Sequence, residues 1–180
     1  MTATRSARAG AHLDRAGAFR ALADQHLDAA YRLAHAILRD PTEAQDATHD
    51  AFVTAWRSWD SLRDTSKFEP WFDRIVVNTC RNRLRRDRRR TAVDISDELA
   101  LVAGDEFNQS LDRDAIREAL ASLSADHQVV VALRFYRDLT VPQIAERLGI
   151  PLGTAQSRLH YALKHLQVEI EAADARGSAR

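Results

Sequence analysis

Cysteine is almost missing from this chain, since Cys80 is the single example among 180 residues. One thiol cannot form an internal disulfide or build a cysteine-rich zinc site, so both are excluded. A chain without disulfides suits a reducing compartment, and we expect a cytoplasmic location. The first residues, MTATRSARAGAHLDRAG, carry charge but no apolar core, which does not match a signal peptide. We expect residues 1–16 to form a disordered leader.

Long apolar runs are also lacking, and no stretch approaches the roughly 20 residues that a membrane-spanning helix needs. We therefore expect no membrane insertion. Glycine and proline are scarce, at 6 and 4 residues, and no segment shows the alternation of a strand. Leucine, alanine, arginine and acidic residues dominate, which favours an all-α fold. The formal net charge is zero, but the charges are segregated along the chain.

Enzyme signatures are missing as well. The 7 histidines are scattered singly, and the sequence contains neither an HExxH motif nor a glycine-rich phosphate loop. We therefore predict no catalytic residues, no metal site and no cofactor. An enzyme is the least favoured class of function for this chain.

Residues 139–166 hold the most informative pattern, two short helices on either side of a break. The first is predicted over Val141 to Leu148, with Pro142 at its start. The break is Gly149-Ile150-Pro151, where glycine suits a left-handed residue after a helix. We expect Thr154 to cap the second helix. The inward residues predicted for that helix are Ala155, Leu159, Ala162, Leu163 and Leu166.

The outward face of the second helix has no acidic residue between Gly149 and Glu169. Its basic and hydrogen-bonding groups are those that pair with phosphates and base edges in a major groove. The pattern indicates a DNA-binding helix-turn-helix, although an ordinary helical hairpin would have the same turn. The candidate contact residues are Thr154, Gln156, Ser157, Arg158, His160, Tyr161 and Lys164.

Two amphipathic helices are predicted at the other end of the chain. The first covers residues 17–39 and ends at Asp40-Pro41. Thr42 and Gln45 resemble a capping box for a second helix, from Glu43 to Trp59. One face of that helix is apolar and the other carries several acids. These acids either form a functional surface or only complement the helix dipole, since an acidic first turn suits the dipole.

A strongly basic helix follows, predicted to start at Pro70 and to run to Arg90. Aromatic residues stand at its start, and seven of its last ten residues are arginine. Such a helix can hold a phosphate backbone while its aromatic rings stack on exposed bases. The alternative is a solvated helix end, since cations suit a C-terminus. We favour nucleic acid, because the arginines would repel one another without a polyanion.

Residues 91–111 reverse the sign of the charge, with acids and no base. We predict an acidic flexible linker here, with a short helical turn at residues 98–102, between two small helical domains at 17–90 and 112–170. Residues 171–180 would be a frayed tail. Ser124 should cap a helix over residues 125–137. The helix before it should turn Ile116, Ala119, Leu120 and Leu123 inward.

With both halves considered, the chain resembles the ECF (extracytoplasmic function) type of bacterial sigma factor over about residues 17–168. DPTEAQDATHDAFVTAW is similar to the family's segment for gripping core RNA polymerase. FEPWFDRIVVNTCRNRLRRDRRR is similar to its aromatic-then-arginine promoter segment. ALASLSADHQVVVALRFYRDLTVPQIAERLGIPLGTAQSRLHYALKHL is similar to its C-terminal domain.

The resemblance implies a transcription initiation factor that is not an enzyme. It would dock on the β′ and β subunits of core RNA polymerase and melt the −10 promoter element with residues 17–90, sigma region 2. It would recognise the −35 element with residues 112–170, sigma region 4, while the acidic linker threads the polymerase's RNA path. An anti-sigma factor commonly holds such proteins inactive.

The resemblance also assigns residues to these roles. The loop from Ser61 to Lys67 would take a flipped base of the −10 element. Residues assigned to the melted element and backbone are Ser61, Lys67, Phe68, Trp71, Asn78, Arg81, Arg85 and Arg86. Residues assigned to core polymerase are Asp46, His49, Asp50, Phe52 and Trp56, the last two as apolar support.

Three positions depart from the family's pattern. His49 stands where the family usually has glutamine, which affects the polymerase-gripping segment. Gln156 and Tyr161 stand where the family often has arginine or lysine. Because glutamine pairs with adenine and arginine with guanine, we predict a −35 motif that depends less on guanine.

One rival class stays open at this point. An autonomous helix-turn-helix regulator would use the same reading helix but bind DNA without polymerase, normally as a dimer on two half-sites. The sequence shows neither a receiver domain nor a dimerisation heptad, so we favour the sigma factor.

Overall fold

The computed structural model describes residues 3–94 and 111–178. Every regular element in these two ranges is helical, which confirms the all-α prediction. The chain divides into two compact units, Met1–Cys80 and Arg81–Arg180. Most of the predicted linker, including its proposed turn at 98–102, lies outside the described residues.

The helices have the following bounds. They are α1 (Ala3–Leu38), α2 (Pro41–Arg57), α3 (Phe68–Asp94), α4 (Leu111–Ser122), α5 (Ala125–Phe135), α6 (Val141–Leu148) and α7 (Leu152–Ser178). Two short 3₁₀ turns, Trp59–Ser61 and Thr65–Lys67, join α2 to α3. No helix in the described ranges offers an apolar stretch of membrane-spanning length and composition.

Two helices, α1 and α3, start earlier in the sequence than predicted. The segment expected to be a disordered leader is helical from Ala3 onward, because alanine and arginine favour helix and no proline interrupts them. α3 begins at Phe68 rather than at Pro70. A proline is tolerated there because the first turn of a helix has no intrahelical partner for its N–H groups.

The junction between α1 and α2 corrects a third prediction. The N-cap of α2 is Asp40, whose carboxylate accepts a hydrogen bond of 2.8 Å from the Glu43 amide. Pro41 then occupies the first helical position, where its ring geometry fits. The capping box predicted for Thr42 and Gln45 is wrong, because both residues already lie inside the helix.

The core of the first unit is built on small residues. Ala30 and Ala34 of α1, together with Ala44, Ala47 and Ala51 of α2, have no exposed surface, which lets the two helices pack closely. α3 adds larger side chains to this core. Its residues Phe68, Phe72, Val76, Val77 and Cys80 are all buried.

In the second unit, α7 packs against α4, α5 and α6. The inward face of α7 is narrow, since among its residues whose burial is described only Ala155, Leu159 and Ala162 are buried. Leu163 and Ile116 were predicted to point inward, but they are 40% and 43% exposed. Small residues on α7 allow the neighbouring helices to pack close to it, so the larger side chains on either side of the buried stripe stay at the edge of the helix interface.

Of the three helix ends predicted in this unit, two are confirmed and one is wrong. Ser124 caps α5, and its hydroxyl accepts a bond of 3.2 Å from the His127 amide. Gly149 ends α6 in the left-handed region, with a φ of 63°. Thr154 is not the cap of α7, because the helix starts at Leu152 and the Thr154 amide already bonds to the Pro151 carbonyl at 3.0 Å.

Replacing Gly149 with alanine is expected to lower the free energy of unfolding by about 1–2 kcal/mol, the cost of a left-handed conformation for a residue with a Cβ. Gly153→Ala is the matched control. It lies in the first turn of α7, and an added Cβ there meets no heavy atom within 4 Å. This control should be neutral or slightly stabilising. Thermal unfolding followed by circular dichroism measures both; equal shifts would contradict the role of Gly149.

Candidate functional site

The exposed face of α7 carries most of the residues predicted to contact DNA. Gln156, Ser157, His160, Tyr161 and Lys164 are all exposed, and their spacing places them on neighbouring turns of one face. Tyr161 is 60% exposed, a large fraction for an aromatic side chain. Thr154, the remaining polar residue near the start of the helix, is half-buried.

The preceding helix fixes the entry into this face. At its N-terminus, the Thr140 amide donates to the Gln143 side-chain oxygen at 2.8 Å. At its C-terminus, the Ile150 amide bonds back to the Ala145 carbonyl at 3.0 Å across Gly149. α6 and α7 therefore form a helix-turn-helix whose turn is hydrogen-bonded and whose second helix is exposed on its polar side.

Arg158 behaves differently from its neighbours on α7. Its guanidinium lies 2.9 Å from the Asp126 carboxylate of α5, and the two side chains are only 25% and 23% exposed. The pair ties α7 to α5, so Arg158 is engaged inside the unit rather than presented freely. Sequence reasoning missed Asp126, because an acid in the first turn of a helix already has an ordinary dipole explanation.

Two more residues that were predicted to contact DNA, Arg81 and Arg85, pair with the Asp126 carboxylate within the second unit. Arg81 Nε lies 3.0 Å and Arg85 Nη2 lies 3.4 Å from Asp126 Oδ1. Burial lowers the pKa of the Arg81 guanidinium below its ordinary value, and the charge of Asp126 opposes this shift. One carboxylate thus faces three guanidiniums, which leaves an excess of positive charge. Arg86 is exposed.

The segment between α2 and α3 presents hydroxyl groups beside an indole. The Asp64 carboxylate accepts bonds from the Ser66 hydroxyl at 2.7 Å and from its amide at 3.0 Å, and these bonds lower the pKa of Asp64. Trp71 donates its indole N–H to the Ser61 hydroxyl at 3.3 Å. Ser61 and Lys67 are exposed, and Trp71 is half-buried. Further along α3, Asn78 is also exposed.

The prediction that Phe68 contacts the melted promoter element is wrong. Its side chain is 1% exposed and its ring lies 5.2 Å from that of Phe72 and 5.1 Å from that of His26. A ring enclosed in this way cannot stack on a base. The reason is the early start of α3, which turns Phe68 into the core. Of the three aromatic residues in the first turns of α3, Phe68 and Phe72 are buried and Trp71 is half-buried.

A groove of about 750 Å³ runs between α1 and α2 in the first unit. Asp46 and His49 line it from α2, and Phe52 forms part of its apolar lining, with its ring 4.5 Å from that of Phe72. α1 adds Leu27 and Asp28, which were not predicted as site residues. The remaining residues that line the groove are Tyr31, Gln45 and Thr48.

The α1 side of the groove was missed because Leu27 belongs to the apolar stripe that predicts burial. It is 48% exposed instead. An exposed leucine beside two aspartates describes a surface that suits a basic partner with an apolar anchor.

Two predicted polymerase contacts lie outside the lining of this groove. Asp50 is exposed on α2. Trp56 is 36% exposed; its ring packs edge-on against Phe19 at 5.1 Å and lies under the Arg15 guanidinium at 5.2 Å. Trp56 therefore supports the packing of α1 on α2.

Comparison with known proteins bears on both units. The family model for Sigma-70 region 2 matches residues 22–90, and the model for Sigma-70 region 4 matches residues 119–168. The ECF RNA polymerase sigma factor SigL of Mycobacterium tuberculosis is 34% identical over 166 residues, which cover 90% of this chain and 94% of that protein. The RNA polymerase sigma-E factor of Streptomyces avermitilis is 31% identical over 147 residues, 82% of each chain.

Solved structures agree with these sequence matches. The sigma factor RpoE of Bartonella quintana, crystallised with the anti-sigma factor NepR, superposes with a TM-score of 0.66 at 25% identity. The superposition covers 85% of this chain and 96% of that one. CnrH, solved with the cytosolic domain of CnrY, shares the fold with a TM-score of 0.59 at 22% identity. With both sigma regions matched in order, and a relative of this similarity spanning nearly the whole length, the chain belongs to the ECF family of RNA polymerase sigma factors.

Proposed function

We propose that this ECF sigma factor grips core RNA polymerase with the groove between α1 and α2, holds the melted −10 element at the loop before α3, and reads the −35 element with α7. The observation that supports this proposal most is the exposed face of α7 over residues 152–168, which carries no acid and follows the Gly149 turn. Residues 17–90 and 112–170 would serve as the two promoter-binding domains.

The groove suits a polymerase contact by its charge and shape. Asp28 from α1 and Asp46 from α2 both line the groove with carboxylates, and Phe52 adds an apolar surface to the same lining. A basic helix of the β′ subunit would pair with the carboxylates and bury its apolar side on the ring. His49 would replace the family's usual glutamine as a hydrogen-bonding group.

The loop from Ser61 to Lys67 suits an extruded base. Extrusion costs a few kcal/mol, and stacking plus hydrogen bonds to the base must offset it. The loop is already ordered by Asp64, which bonds to Ser66. Trp71 offers the ring face, while the exposed Asn78 and Arg86 on α3 can hold the strand.

On α7 the proposed reading residues are Gln156, Ser157, His160, Tyr161 and Lys164. Arg158 would act indirectly, because its ion pair with Asp126 holds α7 against α5. The net neutrality of the chain fits this division of labour. The assembled holoenzyme supplies much of the DNA affinity, so the free chain does not need a large positive charge.

We expect Gln156→Ala to change the −35 motif chosen from a promoter library by the holoenzyme. The amide of Gln156 is exposed on the reading face and can bond to both N6 and N7 of adenine, so the preference for adenine at one position should fall by about 1–3 kcal/mol. Gln167→Ala is the control, because Gln167 bonds to Glu171 further along the helix at 2.8 Å. An unchanged sequence logo for Gln156→Ala would refute the assignment.

The proposal extends to regulation. The Bartonella quintana sigma factor of similar fold was solved with the anti-sigma factor NepR, and we propose a protein inhibitor of the same kind here. Affinity purification of the tagged chain from its own cells, followed by mass spectrometry, would reveal it. The chain would act in the cytoplasm, where RNA polymerase works, and without enzymatic activity of its own.

Run-off transcription tests the function directly. Core RNA polymerase should start at specific promoters only when this chain is added. An autonomous regulator would instead shift duplex DNA by itself, as a dimer on paired half-sites, and would leave core polymerase without specific initiation. That result would reject the proposed function.

A further inference from the structure

α1 continues in the N-terminal direction beyond the part of the chain that matches Sigma-70 region 2. The helix begins at Ala3, whereas the match begins at residue 22; we call residues 3–21 the α1 extension. Of its residues 15–21, whose side chains the structure describes, only Arg15 and Phe19 are half-buried, and the others are exposed. Because these two residues are four apart, they lie on one face of the helix. The α1 extension therefore directs one pair of side chains onto the rest of the first unit.

Arg15 links an indole ring and a carboxylate near the end of α2. Its guanidinium carbon lies 5.2 Å from the centroid of the Trp56 ring, within the range of a cation–π interaction. Arg15 Nη1 lies 3.1 Å from Asp60 Oδ1 and 3.2 Å from Asp60 Oδ2, in an ion pair that joins positions 45 residues apart. The Asp60 side chain is 79% exposed, so the pair adds little to the stability of the fold. Its effect is to hold Asp60 in one place.

Phe19 starts a series of aromatic contacts that leads to Trp71. Its ring meets the Trp56 ring edge-on at 5.1 Å and the Trp59 ring edge-on at 5.3 Å. Trp59 in turn lies edge-on to Trp71 at 6.4 Å, and the Trp71 indole N–H donates to the Ser61 hydroxyl at 3.3 Å. Edge-to-face ring pairs at such separations are favourable and directional. Phe19 is thus connected through Trp59 to the ring that is proposed to receive the extruded base.

The Trp59–Ser61 turn, which the α1 extension contacts, is weakly anchored by its own residues. None of its three residues is buried, and the residue before it, Ser58, makes no side-chain cap bond. Backbone hydrogen bonds shape the turn, but they do not place it against α3, so its position depends on side-chain contacts with other helices. Those contacts come from the α1 extension and from α3, whose Phe68 and Trp71 rings lie 6.1 Å and 6.4 Å from that of Trp59.

We propose that Arg15 and Phe19 are positioning residues for promoter opening, and that they hold the Trp59–Ser61 turn in the position that an extruded base requires beside Trp71. The inference rests on the proposed function, which places that base at the loop from Ser61 to Lys67. Contacts in the site must offset the free energy of extrusion, and a loop that becomes ordered only during binding uses part of that binding free energy for its own ordering. A turn that the α1 extension already holds avoids this loss.

The test uses variants of the full chain, assembled with core RNA polymerase on a promoter selected by the wild-type holoenzyme. Arg15→Gln and Phe19→Leu should each lower the ratio of open to closed promoter complexes by about fivefold, a size typical of coupling between residues in contact. Permanganate reactivity of unpaired thymines measures this ratio. Both variants should bind core polymerase as the wild type does, because neither residue lines the groove between α1 and α2. Arg20→Gln, at an exposed arginine of the same α1 extension, is the control and should open promoters normally.

A double-mutant cycle with Trp71→Ala tests whether the α1 extension acts through the base site. If it does, Arg15→Gln should weaken promoter opening less in the Trp71→Ala background than in the wild-type chain. A general loss of stability would act equally in both backgrounds. Thermal unfolding followed by circular dichroism establishes that each variant is folded.

Normal promoter opening by the folded Arg15→Gln and Phe19→Leu variants would overturn the proposal. So would full additivity with Trp71→Ala, a loss no larger than that of Arg20→Gln, or a loss that weaker binding of core polymerase explains. In each of these cases the wild-type holoenzyme still opens its promoter, so the proposed function stands. A wild-type chain that gives no specific initiation would instead overturn the proposed function and the role of the α1 extension together.

Discussion

Asp46→Arg is expected to lower the affinity of this sigma factor for core RNA polymerase by at least about a hundredfold, equivalent to about 2.8 kcal/mol. Asp46 lines the groove between α1 and α2, as Asp28 does. An arginine here would face the basic partner helix with a like charge, which costs several kcal/mol at an interface. The side chain is exposed, so the fold of the first unit should be unaffected.

Competition for core polymerase against a labelled wild-type chain measures this affinity. Asp24→Arg is the matched control, since Asp24 is an exposed acid of α1 that does not line the groove. It makes the same change of charge, so long-range attraction is altered equally in both variants. If the two variants bound polymerase equally well, the groove would not be the docking site.

Phe68→Ala is expected to lower the free energy of unfolding by about 3–5 kcal/mol, the cost of removing a buried phenylalanine. Phe68 is 1% exposed and packs against Phe72, Trp71 and His26. Chemical denaturation followed by circular dichroism measures the loss. A change of less than 1 kcal/mol would show that Phe68 is not a core residue.

Trp71→Ala separates packing from promoter opening. Trp71 is half-buried and bonds to Ser61, so its removal should cost less unfolding free energy than the loss of Phe68. If its ring stacks on an extruded base, open promoter complexes should lose about 1–3 kcal/mol of stability. Permanganate reactivity of unpaired thymines in the holoenzyme complex measures this. If the Trp71→Ala variant opened promoters normally, Trp71 would not be the ring on which the extruded base stacks.

The arrangement of helices followed from local sequence to a large extent. α6 begins at Val141 and ends at Leu148, as predicted, because Pro142 and Gly149 mark its two ends. Ser124 was recognised as the cap of α5 for the same kind of reason, since a side chain within three residues satisfies the backbone. Errors arose where two residues compete for one end, as with Asp40 and Thr42.

The candidate site was less accessible from sequence. Gln156, His160 and Lys164 were placed on an exposed face by helical spacing alone. Spacing could not show that Arg158 turns to Asp126, 32 residues earlier in the chain, because that pairing depends on how α5 packs on α7. The contribution of Leu27 and Asp28 to the groove was hidden for the same reason.

The sequence by itself determined the helical class, the glycine turn before α7, and the separation of acidic from basic segments. These properties depend on propensity and spacing within a few residues. Only the tertiary structure decided which side chains are presented and which are engaged: Phe68 is enclosed, Trp71 is half-buried and Arg158 is paired with Asp126. Burial and pairing arise between residues that are distant in sequence, so no local pattern can specify them.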